Sequence, residues 1–399
     1  MIIIDIGLRQ GETLAVVERE GQGELMSSPV RKEKYPVVDC DIHPMVADVR
    51  RLLPFMSESW RRHFEVRGMR VYARARDRYN HPNITYRADA VSPAGGPAGS
   101  DIEFMLATHI EPFGIASALL LPQQPYGVTA WGDPDSAHAF YAASNDYFFE
   151  QWVPFDDRMS LAVTVSPHDP KAAAAEIRRF AGQPGVVGIQ LLLLDTMLGS
   201  YTLDPIYEAA VENDLPVVVH QSGSEGCYYG SQGVAGGVPR SYGERHVVLT
   251  QVGAANVVDV IVNGTLEKFP GLKFVMVEWG FSWLSHLLPR MDLLWQRDPK
   301  AAPRAKKLPS EYVREAFTFS TQPLDETESP AELTALFETP GLESMLLFSS
   351  DYPHYDTDDP GFVMARIPDS MRSKVCYENA LATFGDKVMR FRDPAAATA

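Results

Sequence analysis

Three short islands, far apart in the chain, put cation-binding side chains at the ends of apolar runs. Asp41-Ile-His43 follows Pro36-Val-Val, His220 follows Leu215-Pro-Val-Val-Val, and Asp351 follows Met345-Leu-Leu-Phe-Ser-Ser. Asp41 and His43 are two apart, so on a strand they point the same way and offer one ion a carboxylate and an imidazole. Asp39 has the same parity, deeper in the strand, and is an alternative ligand. His220 by itself also reads as a core histidine, and Asp351, two residues before Pro353, as a helix cap. Taken together, Asp41, His43, His220 and Asp351 give two imidazoles and two carboxylates with room for water. A structural zinc is usually closed by cysteine, so this set has the composition of a catalytic centre. One divalent cation is expected, zinc first, with manganese or iron(II) as alternatives. A carboxylate placed like Asp351 can also accept a proton from water.

The elements that must position these residues are short. Apolar runs lie at Val37–Asp41, Ala116–Leu121, Met159–Val165, Val186–Leu193, Leu215–His220, Lys273–Glu278, Ala316–Ser320 and Met345–Ser350. Between most of them run stretches of helical period: Ser136–Trp152, Asp169–Ala181, Asp204–Asn213, His246–Phe269, Phe281–Arg297 and Ser329–Thr339. Asp169-Pro, Asp204-Pro and Ser329-Pro each read as an N-cap before a proline at the first helical position. Eight strands alternating with helices predict an α/β fold, a (β/α)₈ TIM barrel, with the three islands at its C-terminal mouth. A doubly wound open sheet would need a glycine-rich phosphate turn after an early strand, and none is present.

Two long connections leave the same mouth. One, 44–115, is an insertion after the first strand; the other, 221–245, is rich in Gly, Tyr and Ser. Loops of this length within a domain are usually functional. Residues 1–34 read as a separate N-terminal appendage, a hairpin around Arg9-Gln-Gly-Glu followed by a polar linker. The barrel is expected over 35–390, and 391–399 as a frayed tail.

Composition sets outer limits. The chain has 399 residues, 45% hydrophobic and 22% charged, enough for a sizeable core. Net charge is 36 − 52 = −16. That argues against nucleic acid or an anionic membrane as partner. Three cysteines without CxxC spacing, no basic n-region at the start and no run of eighteen apolar residues point to a reduced, cytoplasmic protein.

The stretches Asp39-Cys-Asp-Ile-His-Pro44, Leu215–His220, Phe269-Pro-Gly-Leu-Lys-Phe-Val-Met-Val-Glu278, Phe348-Ser-Ser-Asp-Tyr-Pro-His354 and Glu378-Asn-Ala380 resemble, in order and spacing, the amidohydrolase superfamily. The likeness is to the amidohydrolase-related branch, which includes aminocarboxymuconate-semialdehyde decarboxylase and the resorcylate-type decarboxylases. The resemblance implies one metal held by Asp41, His43, His220 and Asp351. Dinuclear relatives carry a carboxylated lysine on the fourth strand; Val186-Val-Gly-Ile-Gln190-Leu has none. Where the decarboxylases end the sixth strand in a proton-transferring histidine, this chain has Glu278.

Glutamate there can be a general acid or base, or can hydrogen-bond a ligand histidine. Its charge would repel a substrate carboxylate, which favours a metal-dependent hydrolase acting on a small organic, aromatic or cyclic substrate. Asp351, Glu278 and His220 are then the catalytic residues. The alternatives are a non-oxidative decarboxylase of an aromatic or unsaturated acid and a non-catalytic ligand-binding barrel. Gln322, Tyr228, Tyr229, Arg240, Tyr242 and His354 are candidate substrate contacts. Arg290 and Asp292 read as a structural ion pair, and His63, His109, His138, His168 and His246 are assigned no chemistry. A small-molecule substrate is the expected partner, and barrels of this kind resemble known dimers.

Overall fold

A computed structural model of the chain describes residues 35–69, 86–129, 131–193, 195–221, 239, 241–325 and 327–390. The expected appendage 1–34 and tail 391–399 lie outside the described residues. Eight strands form one sheet in sequence order: β1 Val37–Ile42, β2 Ile115–Leu120, β3 Met159–Val165, β4 Val186–Leu193, β5 Val217–Gln221, β6 Phe274–Val277, β7 Phe317–Ser320 and β8 Leu346–Leu347. Every neighbouring pair is parallel. Cys40 N–H donates to the Phe348 carbonyl (3.0 Å) and Asp351 N–H to the Asp41 carbonyl (3.1 Å), so β8 returns to β1 and the barrel closes. The (β/α)₈ expectation holds, and each predicted run overlaps a strand.

The strands are legible because both their faces are covered. A parallel barrel buries one face against helices and the other in its interior, so its strands read as continuous apolar runs. Val38, Cys40, Leu119, Ala162, Val187, Val218, Val275, Val277 and Leu347 form one buried cluster, closed at its base by Ala380, Phe384 and Val388. Side chains from seven different strands can meet only inside the barrel. A second, larger cluster packs the helices on its outside.

The helices hold to expectation at two caps and depart at a third. Asp169 accepts from Ala172 N–H and Ser329 from Glu332 N–H. Asp204 is not a cap: a 3₁₀ turn, Tyr201–Leu203, runs directly into the helix, and Asp204 pairs with Lys268 instead. The stretch read as one helix over His246–Phe269 is three, Tyr242–Val248, Thr250–Asn263 and Thr265–Lys268. Gly264, at φ 70°, ends the second. Arg290 and Asp292 do not pair. They lie two apart within the helix Leu284–Arg297, so they face different ways, and Asp292 accepts from Ser310 N–H and Oγ–H.

Gly243–Asn263 is the one span among the described residues long and apolar enough to cross a membrane. It is interrupted at Leu249 and buries Val252, Val257, Val260 and Ile261. Its Gly253 lies so close to the barrel that an added Cβ would sit 2.7 Å from the Cβ of Trp279. Trp279 follows the end of β6, so this packing fixes the strand end that carries Glu278.

Candidate metal centre

The strand ends at one mouth bring together Asp41 and His43 from β1, His220 from β5, Glu278 after β6, and Asp351 and His354 after β8. Each is at most 7% exposed. Asp41 Oδ1 and Asp351 Oδ1 each lie 3.0 Å from His43 Nε2. Glu278 Oε1 is 3.3 Å from His220 Nε2 and 3.7 Å from His43 Nε2. Two overlapping donor sets result, Asp41–His43–His220–Glu278 and His43–Glu278–Asp351–His354, each with all ligand atoms within 4.8 Å of one another.

Both strand-end carboxylates sit on unusual backbone. Glu278 has φ 63° and Asp351 φ 61°, a left-handed conformation that costs a non-glycine residue about 1–3 kcal/mol. At Glu278 the turn is held by a hydrogen bond from its N–H to Ser320 Oγ (3.0 Å). The same backbone twist swings each side chain off the pleat and into the mouth.

The imidazoles are fixed by their second nitrogens. His43 Nδ1 lies 2.9 Å from the Leu121 carbonyl and His220 Nδ1 lies 2.7 Å from that of Gln221. A carbonyl can only accept, so both Nδ1 atoms carry hydrogen. In the neutral rings both Nε2 atoms then present lone pairs to the centre. Gln221 Nε2 donates to Glu278 Oε2 (2.7 Å), and the buried Arg245 donates to Gln221 Oε1, so Oε1 of Glu278 is the oxygen left facing inward.

These donors fit a divalent cation. Asp41 Oδ1 and Oδ2, His43 Nε2, His220 Nε2 and Glu278 Oε1 are buried and have no hydrogen-bond partner among the described residues. A buried charge without a partner is costly, and a buried acceptor set facing only itself more so. Metal–ligand bonds of about 2.1 Å put neighbouring ligands roughly 3.0–3.4 Å apart. His43 to Asp41 and Asp351 (3.0 Å) and His220 to Glu278 (3.3 Å) have that spacing, while Glu278 to His43 is 3.7 Å and His220 to Asp41 4.0 Å.

Without a cation, protons must do the balancing. Burial opposes a charged His43, but the Asp41 charge, Tyr126 and the contacts with Asp351 and Asp41 outweigh it and raise the imidazole well above its usual range. Burial and then the Glu278 charge push the Asp351 carboxyl well up. Glu278 goes the other way: burial works against its charge, yet His220, His354 and His43 hold it well below the ordinary glutamate range. In the cation-free protein Glu278 is therefore the easier of the two carboxyls to ionise.

The remaining expectations divide. His354 joins the centre, its Nδ1 against Asp351 Oδ1 and its ring 4.8 Å from that of His43. Gln322 is buried at the end of β7, where its Nε2 donates to the Asp356 carbonyl (3.3 Å), outside both donor sets. Tyr228, Tyr229 and Arg240 lie outside the described residues; Tyr242 opens a helix, and its side chain lies outside them too.

Asp39 does not face the centre. A register shift in β1 between Asp39 and Ile42 breaks the alternation that the spacing predicts. Asp39 Oδ1 instead accepts from Ser350 N–H (2.9 Å) and Asp41 N–H (3.2 Å), tying together the two strand ends that carry Asp41 and Asp351. His109, assigned no chemistry above, lies 3.3 Å from Asp39 Oδ2 and 3.1 Å from Ser350 Oγ. His246 pairs with Asp356 (3.0 Å), which raises its pKa. Tyr126, against both ligand histidines, has no sequence signal beyond its place just after the second apolar run.

The amidohydrolase family pattern matches residues 38–385. The chain belongs to the amidohydrolase family. The same fold occurs in solved structures of low identity. One is 5-carboxyvanillate decarboxylase LigW of Sphingomonas paucimobilis (22% identity, 88% of this chain and 98% of that chain, TM-score 0.61). Another is the 5-carboxyvanillate decarboxylase of Novosphingobium aromaticivorans with bound manganese and 3-methoxy-4-hydroxy-5-nitrobenzoic acid (18%, 89% and 99%, 0.64). A third is the 2,6-dihydroxybenzoate decarboxylase of Rhizobium (17%, 88% and 98%, 0.60). At these identities the likeness is one of fold. This amidohydrolase-family barrel shares its architecture with enzymes that release carbon dioxide from aromatic acids.

Proposed function

We propose that this amidohydrolase-family enzyme is a metal-dependent carboxy-lyase that removes carbon dioxide from a hydroxylated aromatic carboxylic acid. The sequence alone favours hydrolysis; the decarboxylases that share the fold support the alternative. The single observation that carries the reading is the buried Asp351–His354 pair, a carboxyl in contact with an imidazole among the cation donors.

Asp41, His43, His220 and Asp351 would hold the cation, with Glu278 Oε1 at its edge. A set this rich in carboxylate suits manganese as well as zinc. A cation held by these residues would supply positive charge that attracts and offsets the substrate's oxygens. The reaction then needs one proton. Asp351 gives it to the ring carbon that bears the carboxylate, the bond from that carbon to the carboxylate breaks, its electrons restore the aromatic ring, and carbon dioxide leaves. His354 Nδ1 returns a proton to Asp351. Turnover in D₂O is expected to leave one deuterium on the carbon that lost its carboxylate. A product carrying oxygen from water in place of a cleaved amide, ester or ring bond would contradict the reading.

Hydrolysis is the second reading, favoured by ionised Glu278 as a general base. The two readings separate on Glu278→Gln. Decarboxylation expects carbon dioxide release to stay within about tenfold, since Gln keeps the shape and removes a charge that repels the substrate. A base in the reacting step is worth about 10²–10⁴-fold. A loss of that size with cation content unchanged would place the proton chemistry on Glu278.

A further inference from the structure

We infer that Tyr126 is a substrate-binding residue, its phenol O–H donating a hydrogen bond to an anionic oxygen, carboxylate or phenolate, of the aromatic ligand. The choice of ligand rests on the carboxy-lyase reading; the placement of the donor rests on geometry.

Tyr126 sits in the short helix Gln124–Val128, just past the end of β2, and is 3% exposed. Its ring centroid is 4.8 Å from that of His220 and 5.6 Å from that of His43, so the phenol stands over the two imidazoles of the centre.

The direction of every hydrogen around the phenol oxygen is set from behind. Thr164 Oγ1 donates to Gln190 Oε1 (2.6 Å), which turns the Gln190 amide so that Nε2 donates to the Tyr126 oxygen (2.9 Å). His43 Nδ1 lies 3.4 Å away, but its hydrogen is committed to the Leu121 carbonyl at 2.9 Å, so it offers Tyr126 no lone pair. The phenol oxygen therefore receives a hydrogen from Gln190, and among the described residues its own O–H has no acceptor. A buried donor left unmade costs about 1–3 kcal/mol unless a ligand completes it. Thr164 thus donates to Gln190 and Gln190 to Tyr126, each polarising the next, and the chain ends at a phenol packed against His43 and His220. Gln190 stands on β4, where dinuclear relatives of the resembled family carry the carboxylated lysine.

A buried O–H donor beside a set of cation donors complements an oxygen acceptor, most strongly an anionic one that the cation also attracts. A hydrogen bond to a charged group contributes enough to change affinity about ten- to a hundredfold. The probe is 3-methoxy-4-hydroxy-5-nitrobenzoate, whose nitrophenol absorbance reports ionisation, titrated into manganese-loaded full-length protein.

Tyr126→Phe removes only the oxygen. It is expected to keep its cation, to bind the probe ten- to a hundredfold more weakly, and to shift the bound probe's absorbance toward its neutral form. Gln190→Met, which frees the phenol from its fixed orientation, is expected to weaken binding in the same direction by less, and it serves as the second arm if Tyr126→Phe fails to fold. Binding within twofold of wild type in either folded variant, at equal cation content, overturns the proposal. So does a wild type that does not bind the probe. A wild type that binds the probe in a Tyr126-dependent way yet releases no carbon dioxide from any hydroxybenzoate leaves Tyr126 standing and defeats the carboxy-lyase reading.

Discussion

Replacing Asp351 by Asn should lower carbon dioxide release by at least about 10³-fold, with little change in KM. Two effects add. The first is loss of the proton donor, since an amide cannot supply a proton to a ring carbon; general acid catalysis alone is worth about 10²–10⁴-fold. The second is a weaker hold on the cation, because the carboxylate 3.0 Å from His43 Nε2 becomes neutral. Metal analysis separates the two. At saturating cation only the first remains, and a variant that recovers wild-type turnover there would show that Asp351 serves the ion and not the proton. His354→Gln tests the return path: its contact with Asp351 makes reloading, not the first turnover, the slow step.

Lowering the pH should strip the cation, and His43 gives the sign. In the cation-free protein its pKa is raised, so it binds a proton through a range where a free histidine would be neutral. Cation binding needs the Nε2 lone pair and must expel that proton. Below the raised pKa, affinity falls about tenfold per pH unit for each proton displaced. Above it, the His43 contribution levels off. The stability of the two forms runs in opposite directions. A group with a raised folded pKa stabilises the cation-free protein fully below its unfolded pKa of about 6.5, and that contribution is lost as pH rises through the folded value. The cation-loaded protein gains over the same window. Calorimetry of manganese binding in two buffers of different ionisation enthalpy would count the protons released. Zero protons near pH 6.5 would mean that His43 is already a free base and that the carboxylates do not face it as described.

Much of this was legible in the sequence for a physical reason. Parallel barrel strands are buried on both faces, so Val217-Val-Val and Val186–Leu193 read as apolar runs. A polar residue at the end of such a run, as at His220 or Glu278, has only the mouth to face. Parity failed where the strand departs from regular alternation. Asp39 shares the sequence spacing of Asp41 and His43, but the irregular register in β1 turns it toward Ser350 and His109.

The eighth run shows the same limit. Met345–Ser350 reads as one strand, yet only Leu346–Leu347 pairs regularly, because Ser349 and Ser350 spend their N–H groups on Thr321 Oγ1 and the Asp39 carboxylate. Tyr126 and the Gln190 relay were invisible because they come from different strands and loops, and no local pattern links residues 126, 164 and 190. The split of the His246–Phe269 helix was half legible, at Gly264 but not at Leu249.

The most direct test of the central claim is a count of carbon dioxide from carboxyl-labelled hydroxybenzoates, using the manganese-loaded enzyme and the same protein after chelation. The account predicts one carbon dioxide per substrate consumed, abolished by chelation and restored by adding the cation back. Consumption of substrate without release of label, or release that continues unchanged in protein shown to be cation-free, would contradict it.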